Sequence, residues 1–210
     1  MAKRLDAAAE AARIHDMKEF DRRMLPEGHL AGVDEAGRGP LAGPVAAAAV
    51  ILPEGAVIEG INDSKKLSEK KREALFDVIK EKALSYAVCM IDAERIDEIN
   101  ILRATMEAMR GAVGGLELLP ELVIVDGNRT PELSVPCEAV VKGDSKSMAI
   151  AAASVLAKVS RDRYMREMAR EFPGYGFEKH KGYGTKAHYE AIERLGVCGL
   201  HRRTFLKNIL

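Results

Sequence analysis

Two periods of hydrophobicity alternate along this chain, and together they predict its elements. Near the N-terminus, Ile14, Met17, Phe20 and Met24 recur at three- and four-residue spacing within an alanine-rich run. This predicts a helix over 4–24, closed by Pro26 and Gly28. The pattern then tightens: residues 29–35 carry a short apolar run predicting a strand, and 45–52 are almost without polar residues, as expected of a strand buried on both faces. Ser68 stands where an N-cap belongs. Leu75, Val78, Ile79 and Ala83 then predict one apolar face on a helix reaching about Tyr86. A strand over 87–91 follows, then a long helix over 93–113 ended by Gly114-Gly115. A third apolar strand, 122–125, stops at Asp126-Gly127-Asn128, and a proline-punctuated, hairpin-like piece leads through 137–141. The helix expected over 148–171 opens with Ala149, Ala151, Ala152, Ala153 and Ser154, small enough to lie close on a sheet. A Gly/Tyr/Lys/His loop (175–185) and a last helix (186–195) precede the tail His201-Arg202-Arg203-Thr204-Phe205. Strands and helices are mixed rather than segregated, which predicts an α/β fold with a mixed sheet covered by helices.

Length and composition narrow the picture. The 210 residues fit one large domain. We divide them into an N-terminal helical extension (1–28) docked on one main domain (29–210). No apolar run approaches the roughly 20 residues that span a bilayer, and the order of a secretory signal is missing. Cys89, Cys137 and Cys198 lie far apart with no CxxC pair, so buried thiols in a reducing cytoplasm are expected. Lys+Arg and Asp+Glu both number 32, so net charge carries no nucleic-acid signal. The distribution does: Lys179, Lys181, Lys186, Arg194, Arg202, Arg203 and Lys207 face only Glu190 and Glu193 in the last 32 residues. That segment is either a phosphate-facing patch or an ordinary solvated face. His180, His188 and His201 lack metal-site spacing and are expected at the surface or near phosphate.

The candidate chemistry is carboxylate chemistry. Asp34 and Glu35 end an apolar strand and run at once into Gly37-Arg38-Gly39. Neighbours on a strand point to opposite faces, so both acids can serve one site only where the strand ends or bends, and Ala36-Gly37 supplies the bend. Asp126 ends another buried strand, and Asp144 precedes the long helix. Singly, each has an ordinary explanation: an ion pair with Arg38, a turn residue, a helix cap. Jointly, four acids at the ends of buried elements would repel one another unless cations bridged them. Two divalent ions would satisfy such a cluster and suit phosphodiester hydrolysis, and oxygen ligands favour Mg²⁺ or Mn²⁺. No G-x-S-x-G setting or P-loop competes.

The motifs resemble the ribonuclease HII family over residues 29–206. They are Asp34-Glu35-Ala36-Gly37-Arg38-Gly39-Pro40, Asn62-Asp63-Ser64-Lys65, Val125-Asp126-Gly127, Lys142-Gly143-Asp144 with Lys146-Ser147, Ala157-Lys158-Val159 with Arg161-Asp162, Lys181-Gly182-Tyr183-Gly184-Thr185, and His201-Arg202. The resemblance implies a ribonuclease H-like fold in which Asp34, Glu35, Asp126 and Asp144 hold two Mg²⁺ or Mn²⁺ ions. It further implies hydrolysis to a 3′-hydroxyl and a 5′-phosphate, on RNA–DNA hybrids and 5′ to single ribonucleotides embedded in duplex DNA. The backbone of Gly37, Arg38 and Gly39 would contact the ribose 2′-hydroxyl, the group that tells RNA from DNA. Tyr183 would pack on the following deoxyribose, and Lys65 and Lys146 would contact phosphate. Without the resemblance, Tyr183 reads as an aromatic packed in a glycine loop. Thr204 stands where the family usually has Ser, which keeps the hydroxyl. A monomer without membrane attachment is expected. The alternative class, a nucleic-acid-binding protein without turnover, is disfavoured by the presence of all four acids.

Overall fold

A five-stranded sheet organises the chain, in the order β3-β2-β1-β4-β5. Its strands are β1 (Leu30–Ala36), β2 (Val45–Ile51), β3 (Ser85–Ile91), β4 (Leu122–Asp126) and β5 (Cys137–Val140). The computed structural model describes residues 2–206, the side chains of residues 2–7 and of Lys66 excepted. β1, β2 and β3 form an antiparallel meander, whereas β1, β4 and β5 run parallel. The sheet is therefore mixed, as expected.

Helices cover both faces. They are α1 (Ala2–Met24), α2 (Glu69–Lys82), α3 (Ala93–Ile99), α4 (Ile101–Gly114), α5 (Met148–Glu171), α6 (Phe177–His180) and α7 (Lys186–Leu195). On one face Ile96, Ala104, Ala108 and Met109, from α3 and α4, pack on Ala31, Val33, Val123 and Val125. On the other, the alanines of α5 lie with Ala48, Val50 and residues of α1 and α2. The small side chains foreseen at the start of α5 have a counterpart in the sheet at Gly32, where a Cβ would overlap the Ala149–Ile150 backbone. That contact lays the first turn of α5 directly on β1. α1 is docked there too, for Asp21 Oδ2 accepts the Ala149 N–H at 3.0 Å while Ser147 caps the helix through the Ile150 N–H.

Three local expectations need correction. The helix expected to reach Tyr86 ends at Lys82, because Ser85 and Tyr86 pair with Ile51 and Val50 and so begin β3. The single helix expected over 93–113 is two, broken at Asn100 (φ 70°), whose Oδ1 caps α4 by accepting from Leu102 and Arg103 N–H. The piece through 137–141 is not a hairpin, since β5 lies parallel to β4 and continues the sheet. No helix among the described residues is long and apolar enough to cross a membrane.

Candidate active site

The parallel pairing of β1 with β4 ends at Val33 beside Val125, so Asp34 and Asp126 follow on neighbouring strands just past that pair, Asp34 still paired with Ala48 of β2 and Asp126 with Val140 of β5. The pleat turns Gly32, Asp34 and Ala36 toward α5, and Ala31, Val33 and Glu35 the other way. Asp34 is thereby buried beneath α5, where the Ser154 hydroxyl hydrogen-bonds it and the Glu35 N–H donates to its Oδ1 at 2.7 Å. Ser154 is held in turn by Ser64, with the hydroxyl oxygens 2.9 Å apart. Glu35, at the strand end, lies 3.5 Å from an Arg38 guanidinium nitrogen. The 3-10 turn Gly143–Ser145 brings in the fourth acid: the Gly143 N–H donates to Asp126 Oδ1 at 2.6 Å, which fixes the backbone beside Asp144.

The electrostatics carry the mark of crowded like charges. Burial, followed by the charges of Glu35 and Asp126, pushes the Asp34 carboxyl well above the usual carboxylate range. Burial also raises Glu35, with Arg38 pulling against it and Asp126 pushing with it. Burial draws Lys65 down, but the fields of Asp34, Asp63, Asp144 and Asp126 outweigh it and hold the ammonium above its ordinary value. The structure thus places Lys65 within the field of the acids. Lys146 is exposed on the turn that carries Asp144, where its backbone N–H bonds Gly143 O at 2.9 Å. Among the described residues, no group of three or more His, Cys, Asp or Glu side chains is arranged to hold a metal ion as it stands.

The loop after β1 is pinned by two arginines, Arg161 and Arg202. Arg161 and Arg202 are fully buried, and neither has a carboxylate within salt-bridge distance among the described residues. Arg161 donates to Pro44 O (2.8 Å), Lys181 O (3.0 Å) and Ala42 O (3.1 Å). Arg202 donates to Gly43 O (2.9 Å), Arg38 O (2.9 Å) and Gly37 O (2.6 Å). Burial and the neighbouring Arg161 push Arg202 down to about 9, which leaves it charged at neutral pH. Arg202 thus braces the backbone of the Gly37-Arg38 segment. Gly37 also acquires a second reason for being glycine. Its φ is 92°, and a Cβ there would overlap Arg161 Nε and Cδ. Gly39 is different: a Cβ there would meet only Tyr183 Cε1, at 4.0 Å. Gly39 and Tyr183 are therefore neighbours, and Tyr183 is 43% exposed, with Lys158 and Arg161 against its ring.

The histidines require the largest correction. His188 and His201 are buried rather than at the surface, because they form a ring cluster with Tyr175, Phe177 and His180. The basic tail is likewise thinner than its composition: Arg202 and Lys181 are buried, and Arg194 donates to Gly174 O. Lys207 lies outside the described residues. Thr204 and the Arg203 N–H are tied to Asp97 at the far end of α3.

Comparison with known proteins agrees with this geometry. The family described as Ribonuclease HII matches residues 31–208. A ribonuclease HII from Acetivibrio thermocellus is 50% identical over 210 residues, covering 99% of this chain and 82% of the relative. One from Endomicrobium trichonymphae is 59% identical over 189 residues, covering 89% and 90%. The crystal structure of ribonuclease H2 from Pyrococcus horikoshii superposes with a TM-score of 0.70 at 28% identity, over 84% of this chain and 93% of that one.

Proposed function

The chain belongs to the ribonuclease HII family and has its ribonuclease H-like fold, and on that premise we propose that it nicks duplex DNA on the 5′ side of embedded ribonucleotides. It is a metal-dependent endoribonuclease. In our reading it also cleaves the RNA strand of RNA–DNA hybrids, leaving 3′-hydroxyl and 5′-phosphate ends. It acts as a cytoplasmic monomer, with residues 1–28 as an extension of the catalytic domain 29–210.

One observation supports the proposal: the charges of Glu35 and Asp126 act on Asp34, and those of Asp34, Asp126 and Asp144 act on Lys65, so the four acids share one electrostatic neighbourhood. The donor set fits Mg²⁺ or Mn²⁺, being four hard carboxylates with neither thiol nor imidazole among them. The raised Asp34 and Glu35 carboxyls are what cationic charge would relieve. When bound, two such ions would activate a water and stabilise the leaving oxygen. The chain's own part is positioning. Lys65 offers a phosphate a cation already in the acids' field, with Lys146 beside Asp144 as a second. The Gly37-Arg38-Gly39 backbone, stapled by Arg202, meets the ribose. Tyr183 offers the next sugar an apolar face.

Asp126→Asn and Asp144→Asn test the assignment. The amide introduced by Asp126→Asn would keep an oxygen to accept the Gly143 N–H, so the fold should hold. Both variants should lose most turnover while retaining substrate binding by gel shift. Unchanged cleavage in both would remove these acids from the site.

A further inference from the structure

The cluster behind Tyr183 has a hydrogen-bond order that can be deduced atom by atom. Cys198 N–H is an obligate donor and lies 2.9 Å from His201 Nδ1, so that nitrogen is an acceptor. Neutral His201 then carries its proton on Nε2, which lies 3.2 Å from His188 Nε2. At the other end, Tyr183 C=O is an obligate acceptor 3.0 Å from His188 Nδ1, so that nitrogen is a donor. Neutral His188 therefore presents a bare Nε2 toward His201. The two deductions meet without conflict. One directed chain results: Cys198 N–H to His201 Nδ1, His201 Nε2–H to His188 Nε2, His188 Nδ1–H to Tyr183 C=O.

The chain tolerates no other protonation state. A proton added to His188 would set two N–H groups face to face across 3.2 Å, and one added to His201 would set its Nδ1–H against the Cys198 N–H across 2.9 Å. Burial favours the required state, drawing His188 down to about 4 and lowering His201. The titratable groups packed around the pair are His180, stacked on His188 at 4.4 Å, together with Tyr175 and Cys198. His180 is fixed as well: its Nδ1 accepts the Gly182 N–H and its Nε2 reaches Tyr175 O at 2.9 Å. Backbone groups on both sides of the Lys181–Gly182 corner are thus held by imidazoles with assigned tautomers.

We propose that His201 and His188 are positioning residues for Tyr183, a tautomer-locked pair that holds its backbone so that the ring stands beside Gly39 and favours a single ribonucleotide over a long hybrid. The inference rests on the reading of Tyr183 given above, and its test separates the two. kcat/KM is measured on a one-ribonucleotide duplex and on a long RNA–DNA hybrid, and their ratio compared across variants. Tyr183→Ala should lower the ratio; if it does not, the reading of Tyr183 is wrong. His188→Gln, whose amide cannot reach Tyr183 O, should lower the ratio roughly three- to tenfold, the effect of one lost hydrogen bond. His188→Asn, which keeps a donor at the Nδ1 position, should restore it. In a Tyr183→Ala background His188→Gln should change the ratio no further. A full additional drop there, or a normal ratio in His188→Gln while Tyr183→Ala is impaired, overturns the relay. Independently of any variant, long-range ¹⁵N–¹H spectra of the intact protein should show His201 as the Nε2–H and His188 as the Nδ1–H tautomer. The opposite tautomers, or a charged ring at neutral pH, would also overturn it.

Discussion

Arg161→Met offers a quantitative test of how the site is built. The guanidinium is fully buried and makes three hydrogen bonds, at 2.8, 3.0 and 3.1 Å, to carbonyls on two separate loops. Bonds from a charged donor contribute about 1.5–3 kcal/mol each, so the three represent a gross loss of about 5–9 kcal/mol. Met nearly preserves the volume and avoids burying a charge, whose effective cost of several kcal/mol offsets roughly half of that loss. The expected net destabilisation is about 3–4 kcal/mol, or roughly 10 °C in Tm for a domain of this size. Urea unfolding followed by far-UV circular dichroism should report it as a lower midpoint at unchanged slope. Arg161→Lys should recover little, because a single ammonium cannot match a fork aimed at three carbonyls. A loss below about 1 kcal/mol in Arg161→Met, or full stability in Arg161→Lys, would refute the stapling argument.

Asp21 and Gly39 supply two further tests. Asp21 Oδ1 is buried without a partner, and burial pushes this carboxyl from 3.8 to about 6. The folded state thus holds a proton that the unfolded state releases, so this stability contribution is present below pH 3.8 and is lost as pH rises through 6. Relative to wild type, Asp21→Asn should gain up to about 3 kcal/mol between pH 4 and pH 7.5, and a pH-independent difference would remove Asp21 from the account. Gly39→Ala should keep wild-type Tm while slowing cleavage of a one-ribonucleotide duplex, since its Cβ has room in the protein but would intrude on a close ligand; wild-type rates would end the backbone-contact role. Gly37→Ala cannot answer that question, because its Cβ would displace Arg161.

The architecture was largely legible in the sequence, because burial and periodicity are local signals. The apolar run of β2, the Ser68 cap and the small residues opening α5 all took their expected places. The errors came where a distant partner decides. Nothing local reveals that Ser85 and Tyr86 will pair with β2, and Asn100 interrupts a helical pattern only through its own cap. The acids stand out in the sequence because each lies where an apolar run stops or a long helix is about to begin. The groups that hold the site do not. Arg161, Arg202, His188 and His201 carry no local sign of burial, yet their bonds reach backbone groups from 3 to 165 residues away. A tail whose basic residues fall next to glycine and aromatic positions was the available hint.

The central claim, metal-dependent scission at an isolated ribonucleotide, is tested most directly on an end-labelled DNA duplex carrying one ribonucleotide. The duplex is incubated with the protein and Mg²⁺, Mn²⁺ or EDTA, and the cut is mapped. The account predicts a single nick on the 5′ side of that ribonucleotide with either metal and none with EDTA. Cleavage confined to longer RNA stretches would contradict the Gly39–Tyr183 recognition surface, and cleavage in EDTA would contradict the carboxylate site itself.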